Sequence, residues 1–126
     1  MNCRVSAEPT SYELRVLGIP PEQMKKYRLY KGAGCSMCQD SGYKGRVGIY
    51  EMLLINDSIR AAILDKKPSY KIREVAVRTN DLFSMEEDAI AKAMQGVTTL
   101  EEIIRNVPRS YKLRSLDEIQ RRVNAE

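Results

Sequence analysis

Three cysteines are the residues of this sequence whose type and spacing best suit chemistry. Cys35 and Cys38 form a CxxC pair within GAGCSMCQDSGYKGR, and Cys3 lies near the start of the chain. Zinc prefers a tetrahedron of thiolates, and a CxxC turn brings two sulfur atoms to one metal ion. Cys3 is the other thiol that can join them, with water, Asp40 or a neighbouring chain as a fourth ligand. We therefore predict a zinc knuckle at Cys3, Cys35 and Cys38.

Two other interpretations of the CxxC pair stay open on the residues alone. Cys35 and Cys38 are either small, half-buried thiols without a metal, or a dithiol redox pair. The redox interpretation lacks the strand, CxxC and helix order that is typical of thioredoxin-like sites. The sequence contains no histidine, which excludes mixed cysteine and histidine zinc sites and the commonest general base.

The glycine-rich stretch GYKGRVG after the knuckle suggests a phosphate-binding loop, but its residue order does not fit one. The sequence has no Gly-Lys pair followed by Ser or Thr, and so no Walker A pattern. We therefore expect this chain to hydrolyse no nucleotide by itself, and we predict no catalytic residues. Arg46 either reaches an anion, for which a guanidinium is well suited, or forms a surface salt bridge with Asp40 or Glu51.

The composition limits the function classes that remain. Charged residues make up 30% and hydrophobic residues 43% of the 126 residues, which is typical of a helix-rich globular domain. The formal net charge of +4 comes from scattered basic residues, without interleaved aromatic side chains that would stack on bases. A nucleic-acid-binding zinc domain is therefore an alternative that the composition disfavours. No apolar run suits a membrane span and no signal peptide is evident, so we expect a cytoplasmic chain without direct membrane insertion.

The knuckle needs short elements around it, and residues 1–55 are expected to supply them. Thr10 and Glu13 form a capping-box pattern for a short helix, and proline suits the start of a second helix at Pro21. Val47, Ile49 and Tyr50, with the short apolar run after them, predict a strand over residues 46–54.

From Asn56 the apolar spacing becomes helical, which predicts a helical bundle over residues 56–108. Capping side chains predict helix starts at Asn56 or Asp57, at Ser84 and at Thr98. The core of the bundle is expected to contain Ile59, Ile63, Ile72, Val75, Ile90, Met94, Leu100, Ile103 and Ile104.

Residues 109–126 are predicted to form a basic C-terminal extension whose helix begins at Ser115. Its thin apolar stripe either docks on the bundle or awaits a partner. The acids Glu86 and Glu87 fall in a first helical turn, where the helix dipole favours them, and we interpret them as solvated capping charges. The fold class is therefore α+β, with a small zinc-knuckle lobe containing short strands followed by a mostly α-helical bundle.

Two stretches together resemble a known family. LYKGAGCSMCQDSGYKGRVGIYEMLLINDSIRAAI is similar to the C-terminal segment of the ATPases of type II secretion and type IV pilus assembly. That family carries a CxxC, a spacer and then CxxCxxxGYxGRxGIxE; here 31 residues separate Cys3 from Cys35. Downstream, AIAKAMQGVTTLEEIIR resembles the family's helix with GxTTxEE. The resemblance covers residues 1–107 and is specific because the motifs occur jointly and in order.

The resemblance implies that residues 1–55 are a truncated tetracysteine region that binds structural zinc. Cys3, Cys35 and Cys38 match three of the four ligands by position, and the first cysteine would lie just before Met1. Arg46 matches the arginine of GYxGR, which implies an inter-subunit contact with a nucleotide or phosphate.

The resemblance also implies the setting of the parent protein. The chain would be the non-catalytic C-terminal part of a hexameric cytoplasmic ATPase that powers type II secretion or type IV pilus assembly. Zinc is the implied cofactor of this part, and ATP and magnesium belong to the parent alone. The implied partners are the other subunits of a homo-hexamer and an inner-membrane platform protein, with no nucleic acid. The parent would lie peripheral to the inner membrane, and residues 109–126 extend past the family's usual end.

Overall fold

A computed structural model describes residues 2–109 and 113–125 of the chain. Within these ranges the fold is α+β, as predicted, with seven α-helices and two small antiparallel sheets. The strands are β1 (Arg4–Ala7), β2 (Leu29–Gly32), β3 (Met52–Leu53) and β4 (Leu82–Phe83). The helices are α1 (Ser11–Leu17), α2 (Pro21–Met24), α3 (Asp57–Leu64), α4 (Ser69–Arg78), α5 (Met85–Met94), α6 (Leu100–Asn106) and α7 (Leu116–Asn124).

The two sheets are short, and each joins two parts of the chain. β1 pairs with β2, with Arg4 opposite Gly32, and β3 pairs with β4. α1 begins at the predicted capping box, because Thr10 Oγ1 accepts a hydrogen bond from the Glu13 N–H at 3.1 Å. In return, the Glu13 carboxylate accepts one from the Thr10 N–H at 2.8 Å. The capping box satisfies amide donors that the first turn of a helix leaves without partners.

The main core is the larger of two clusters of buried apolar side chains, and it draws on both ends of the chain. Helices α1, α2, α5, α6 and α7 contribute to it together with β2. Its members are Leu14, Leu17, Ile19, Met24, Leu29, Ala89, Ile90, Ala91, Ala93, Leu100, Ile103, Leu116 and Ile119. The predicted burial of Ile90, Leu100 and Ile103 is confirmed. The main core therefore includes side chains from all three predicted regions, and the division of the chain at residues 55 and 108 stays a prediction.

A second, smaller cluster lies where α3 and α4 meet β4. Ile59, Ala76 and Leu82 are buried there, and Ile72 and Val75 pack against them. The prediction of Ile63 as a core residue is wrong, since this side chain is 46% exposed. The buried residues of α3 are Ile59 and Ala62, so Ile63 lies at the rim of a narrow inward face.

The last helix docks on the rest of the fold. α7 begins at the predicted cap, Ser115, and buries Leu116 and Ile119 in the main core. Asp117 accepts hydrogen bonds from the Tyr27 hydroxyl at 2.6 Å and from Lys26 Nζ at 3.1 Å. Of the two predictions for the extension, docking is the one observed; its residues 110–112 and 126 lie outside the described part.

Two predicted boundaries are wrong. The strand expected over residues 46–54 is reduced to Met52–Leu53. The Tyr50 N–H donates to the Asp88 carboxylate at 2.8 Å instead of to a strand. Helix α6 begins one residue later than predicted, because Thr99 rather than Thr98 is its N-cap.

Among residues 2–109 and 113–125, no helix combines the length and apolar character needed to cross a bilayer.

Candidate metal centre

The β1–β2 pairing brings the three cysteines together across the chain. Cys3 immediately precedes β1, and its carbonyl accepts a hydrogen bond from the Ala33 N–H, just after β2, at 2.9 Å. Cys35 and Cys38 follow in a 3₁₀ turn that spans Ser36–Cys38. The ladder register thus fixes the position of Cys3 relative to the CxxC turn.

The spacing of the sulfur atoms fits a tetrahedral metal site. Cys35 Sγ lies 3.6 Å and Cys3 Sγ lies 3.8 Å from Cys38 Sγ. All three sulfur atoms lie within 4.8 Å of one another. Thiolates at about 2.3 Å from a zinc ion stand roughly 3.8 Å apart in a tetrahedron. Cys3, Cys35 and Cys38 therefore suit zinc as three of four ligands.

Backbone amides prepare the Cys38 sulfur to act as a thiolate. The N–H groups of Cys35 and Gly42 both donate to Cys38 Sγ at 3.3 Å. Burial raises the pKa of the Cys38 thiol, but these amides and the other two thiols outweigh it and lower the pKa to about 7. A hydrogen bond to the Gly34 backbone lowers the pKa of Cys3. Burial and the two neighbouring thiols raise this pKa by more, so its net shift is upward.

Glycine allows the knuckle to close tightly at one point. A side chain at Gly32 would collide with the backbone of Gly42, where the chain returns after the CxxC turn. Gly42 itself has φ +81°, a left-handed conformation that glycine adopts without strain.

Asp40, named from the sequence as a possible fourth ligand, is exposed and lies outside the cluster. In the described ranges, the metal-ligating cluster around the knuckle consists of the three cysteines. Arg46 is exposed as well, and it lines an open cavity that lies beside the three cysteines. Its alternative salt bridge with Glu51 is not formed, since Glu51 pairs with Arg73 at 3.0 Å.

The structure corrects the interpretation of Glu86 and Glu87 as solvated charges, because both are only 2% exposed. Arg109 Nε lies 3.1 Å from the Glu86 carboxylate, and Arg114 Nη1 lies 2.5 Å from that of Glu87. Burial raises the pKa of Glu87 and the Arg114 guanidinium opposes this shift; the net direction is upward. The sequence does not reveal these pairs, and the one available signal is the basic composition of the extension.

Comparison with known sequences shows which protein family carries these three cysteines. A sequence model of the family described as type II/IV secretion system protein matches residues 2–105, which include all three cysteines. The chain belongs to this family.

Members of the family with curated names extend the comparison. The chain is 43% identical over 103 residues to the type IV pilus assembly ATPase PilB of Thermus thermophilus, covering 82% of this chain. It is 35% identical over 104 residues to the PilB of Pseudomonas aeruginosa, again over 82% of the chain. It is 36% identical over 89 residues, or 71% of the chain, to the type II secretion system protein E of Pectobacterium carotovorum.

These relatives are much longer than the chain. The matched region is 12% of the Thermus protein, 18% of the Pseudomonas protein and 17% of the Pectobacterium protein. The prediction that the chain resembles the secretion and pilus-assembly ATPases is confirmed. The activity named for the relatives belongs to proteins of which this chain matches a small part.

Proposed function

We propose that this chain is the C-terminal, non-catalytic part of a motor ATPase that powers type II secretion or type IV pilus assembly. The parent protein acts in the cytoplasm, peripheral to the inner membrane, as a homo-hexamer that contacts a platform protein. ATP and magnesium bind elsewhere in that parent. Within the chain, Cys3, Cys35 and Cys38 hold a structural zinc ion, and Arg46 contacts a phosphate bound by a neighbouring subunit.

The observation that carries this proposal is the spacing of the three thiols in a member of this family. Their separations of 3.6 and 3.8 Å match a tetrahedral zinc site. A metal suits this place because residues 33–48 contain no buried side chain, and small lobes without an apolar core commonly depend on a metal.

An exposed apolar strip supports a role in contacts with other parts of a motor. Its large side chains are 38 to 70% exposed, which is unusual for so continuous a run. The strip consists of Val47, Tyr50, Met52, Leu53, Leu54 and Ile55. Because the curated relatives are far longer than the chain, we assign this strip to contact with the remainder of the motor polypeptide.

A chimera tests the proposal. Residues 2–105 replace the matching stretch of the Thermus PilB, and light scattering and phosphate release measure assembly and ATP hydrolysis. We expect assembly and turnover, and we expect Arg46→Gln in the chimera to lower turnover at least about tenfold, as loss of an arginine at a phosphate does. Arg60→Gln, at an exposed arginine of α3, is the matched control. A chimera that does not assemble, an Arg46→Gln variant with full turnover, or ATP hydrolysis by the isolated chain would contradict the proposal.

A further inference from the structure

An open cavity of about 640 Å³ lies beside the knuckle. It is bordered by β2, by the loop of residues 42–49 and by the turn that joins α5 to α6. The Tyr43 hydroxyl and Thr99 Oγ1 are 2.7 Å apart, and this hydrogen bond joins the loop to the start of α6. Sites for small ligands commonly have volumes of roughly 300–1,000 Å³, so this cavity is large enough for one.

The wall of this cavity is strongly cationic. Its basic side chains are Arg4, Lys31, Lys44, Arg46 and Arg105, against a single carboxylate, Glu102. Over the whole chain, by contrast, 21 basic residues face 17 acidic ones. A concave surface lined by one sign of charge concentrates ions of the other sign, so the cavity attracts anions.

Three of these cations are available to a ligand. Arg4 is not one of them, because its guanidinium donates a hydrogen bond to the Gly96 carbonyl at 3.3 Å and lies 4.7 Å from the centre of the Tyr30 ring. Arg105 lies 3.7 Å from Glu102, and this pair neutralises one cation together with the acid of the cavity. The other three are Lys31, Lys44 and Arg46, and none of them takes part in an ion pair within residues 2–109 and 113–125. Three charges that are free of partners suit a multiply charged anion better than a single carboxylate.

We propose that this cavity binds a small ligand through a diphosphate or triphosphate group, held by Lys31, Lys44 and Arg46. A guanidinium binds two phosphate oxygens at once, and lysine ammonium groups neutralise the remaining charge. The site deepens the role proposed for Arg46 and in that respect rests on the proposed function. It is nevertheless built by this chain alone, so it needs neither a hexamer nor a platform protein.

Calorimetric titration of the 126-residue chain with pyrophosphate tests the site. We expect saturable binding in the micromolar to low millimolar range, roughly −4 to −8 kcal/mol, and weaker binding as salt is added. Lys44→Gln combined with Arg46→Gln removes two of the three cations, and we expect it to weaken binding at least about tenfold. Lys25→Gln combined with Lys67→Gln removes the same charge at exposed positions outside the cavity and should leave the affinity within about twofold.

Two further measurements make the result decisive. Zinc content before and after titration separates binding from removal of the metal by pyrophosphate, and thermal melts confirm that each variant folds. Titration with ADP distinguishes the sources of the phosphate: tighter binding of ADP identifies a nucleotide, and equal or weaker binding identifies free pyrophosphate.

Absence of saturable binding to the folded wild-type chain, or equal weakening in both double variants, would overturn the inference. Neither result would alter the zinc content, and loss of motor assembly in the chimera would leave pyrophosphate binding intact. The two proposals can therefore fail separately.

Discussion

The knuckle segment, residues 33–48, and the main core are stabilised by different means. No side chain of the knuckle segment is buried, and its chain reversal is held by sulfur contacts and backbone hydrogen bonds. The main core instead buries leucine, isoleucine, methionine and alanine side chains from α1, α2, α5, α6 and α7. Apolar burial stabilises the helices whether or not a metal is present. The knuckle segment has no buried side chain, so few interactions stabilise its fold without a metal.

The largest difference should follow removal of two thiols. In the Cys35→Ser, Cys38→Ser variant we expect no bound zinc, and we expect amide protection in residues 33–48 to fall by on the order of 1,000-fold, because that segment opens locally. Amides of α5 serve as the internal control and should keep their protection. Hydrogen exchange measured by mass spectrometry reads both regions in one sample; equal protection of residues 33–48 with and without the thiols would refute the contrast.

A cavity in the main core should lower global stability without affecting the metal. Ile90 is fully buried in α5, and Ile90→Ala should cost about 3–4 kcal/mol of unfolding free energy through lost burial and the void left behind. The matched change Ile63→Ala, at a side chain that is 46% exposed, should cost less than about 1 kcal/mol. Urea denaturation measures both, and similar costs for the two variants would show that the core is assigned wrongly.

The next largest loss of stability should follow removal of the buried ion pair between the extension and α5. Arg114→Gln leaves the Glu87 carboxylate, 2% exposed, without its cation and should cost about 3 kcal/mol near neutral pH. Burial already places the pKa of Glu87 above its ordinary value of 4.5, and loss of the arginine raises it further. The folded variant therefore binds the proton more readily than the unfolded chain, so the cost should shrink as the pH falls to about 4.

Denaturation of this variant at both pH values gives the comparison. Arg60→Gln, which removes an exposed arginine 2.8 Å from Asp57, is the control and should cost no more than about 0.5 kcal/mol at either pH. A cost for Arg114→Gln that is constant between the two pH values would rule out the buried carboxylate as its cause.

The smallest effect concerns the start of α6. Thr99 Oγ1 accepts the Glu102 N–H at 3.1 Å, so Thr99→Ala should cost about 1 kcal/mol. Thr98→Ala removes the neighbouring hydroxyl and should cost less than about 0.5 kcal/mol. Thermal melting of both variants, checked by denaturant titration, distinguishes them; a larger loss from Thr98→Ala would restore the helix start predicted from the sequence.

Local signals in the sequence were sufficient where the physics is local. The capping box of Thr10 and Glu13 and the cap at Ser115 were predictable because each side chain bonds to an amide three residues away. The CxxC pair identified two thiols of the candidate site. Cys3 was predictable as the third because it is the other cysteine of the sequence, and the family spacing agreed with it.

Features that depend on distant partners escaped prediction. The prediction of a strand over residues 46–54 is wrong because a run of apolar residues shows that a segment can be extended, but not that another strand lies beside it. Burial of Glu87 depends on Arg114, which lies 27 positions further along the chain. No residue near Glu87 in the sequence indicates that Arg114 is its partner. The adjacent threonines at 98 and 99 both fit a cap, and only the packing of α6 against the rest of the core decides between them.

The most direct test of the knuckle is the zinc content of freshly purified wild-type protein, prepared without chelators and measured by mass spectrometry of the elements. Three thiolates at tetrahedral spacing should hold close to one zinc ion per chain, and the double serine variant should hold less than about a tenth of that. Zinc-free wild-type protein with a fully protected knuckle segment would contradict the claim that a metal holds residues 33–48 together.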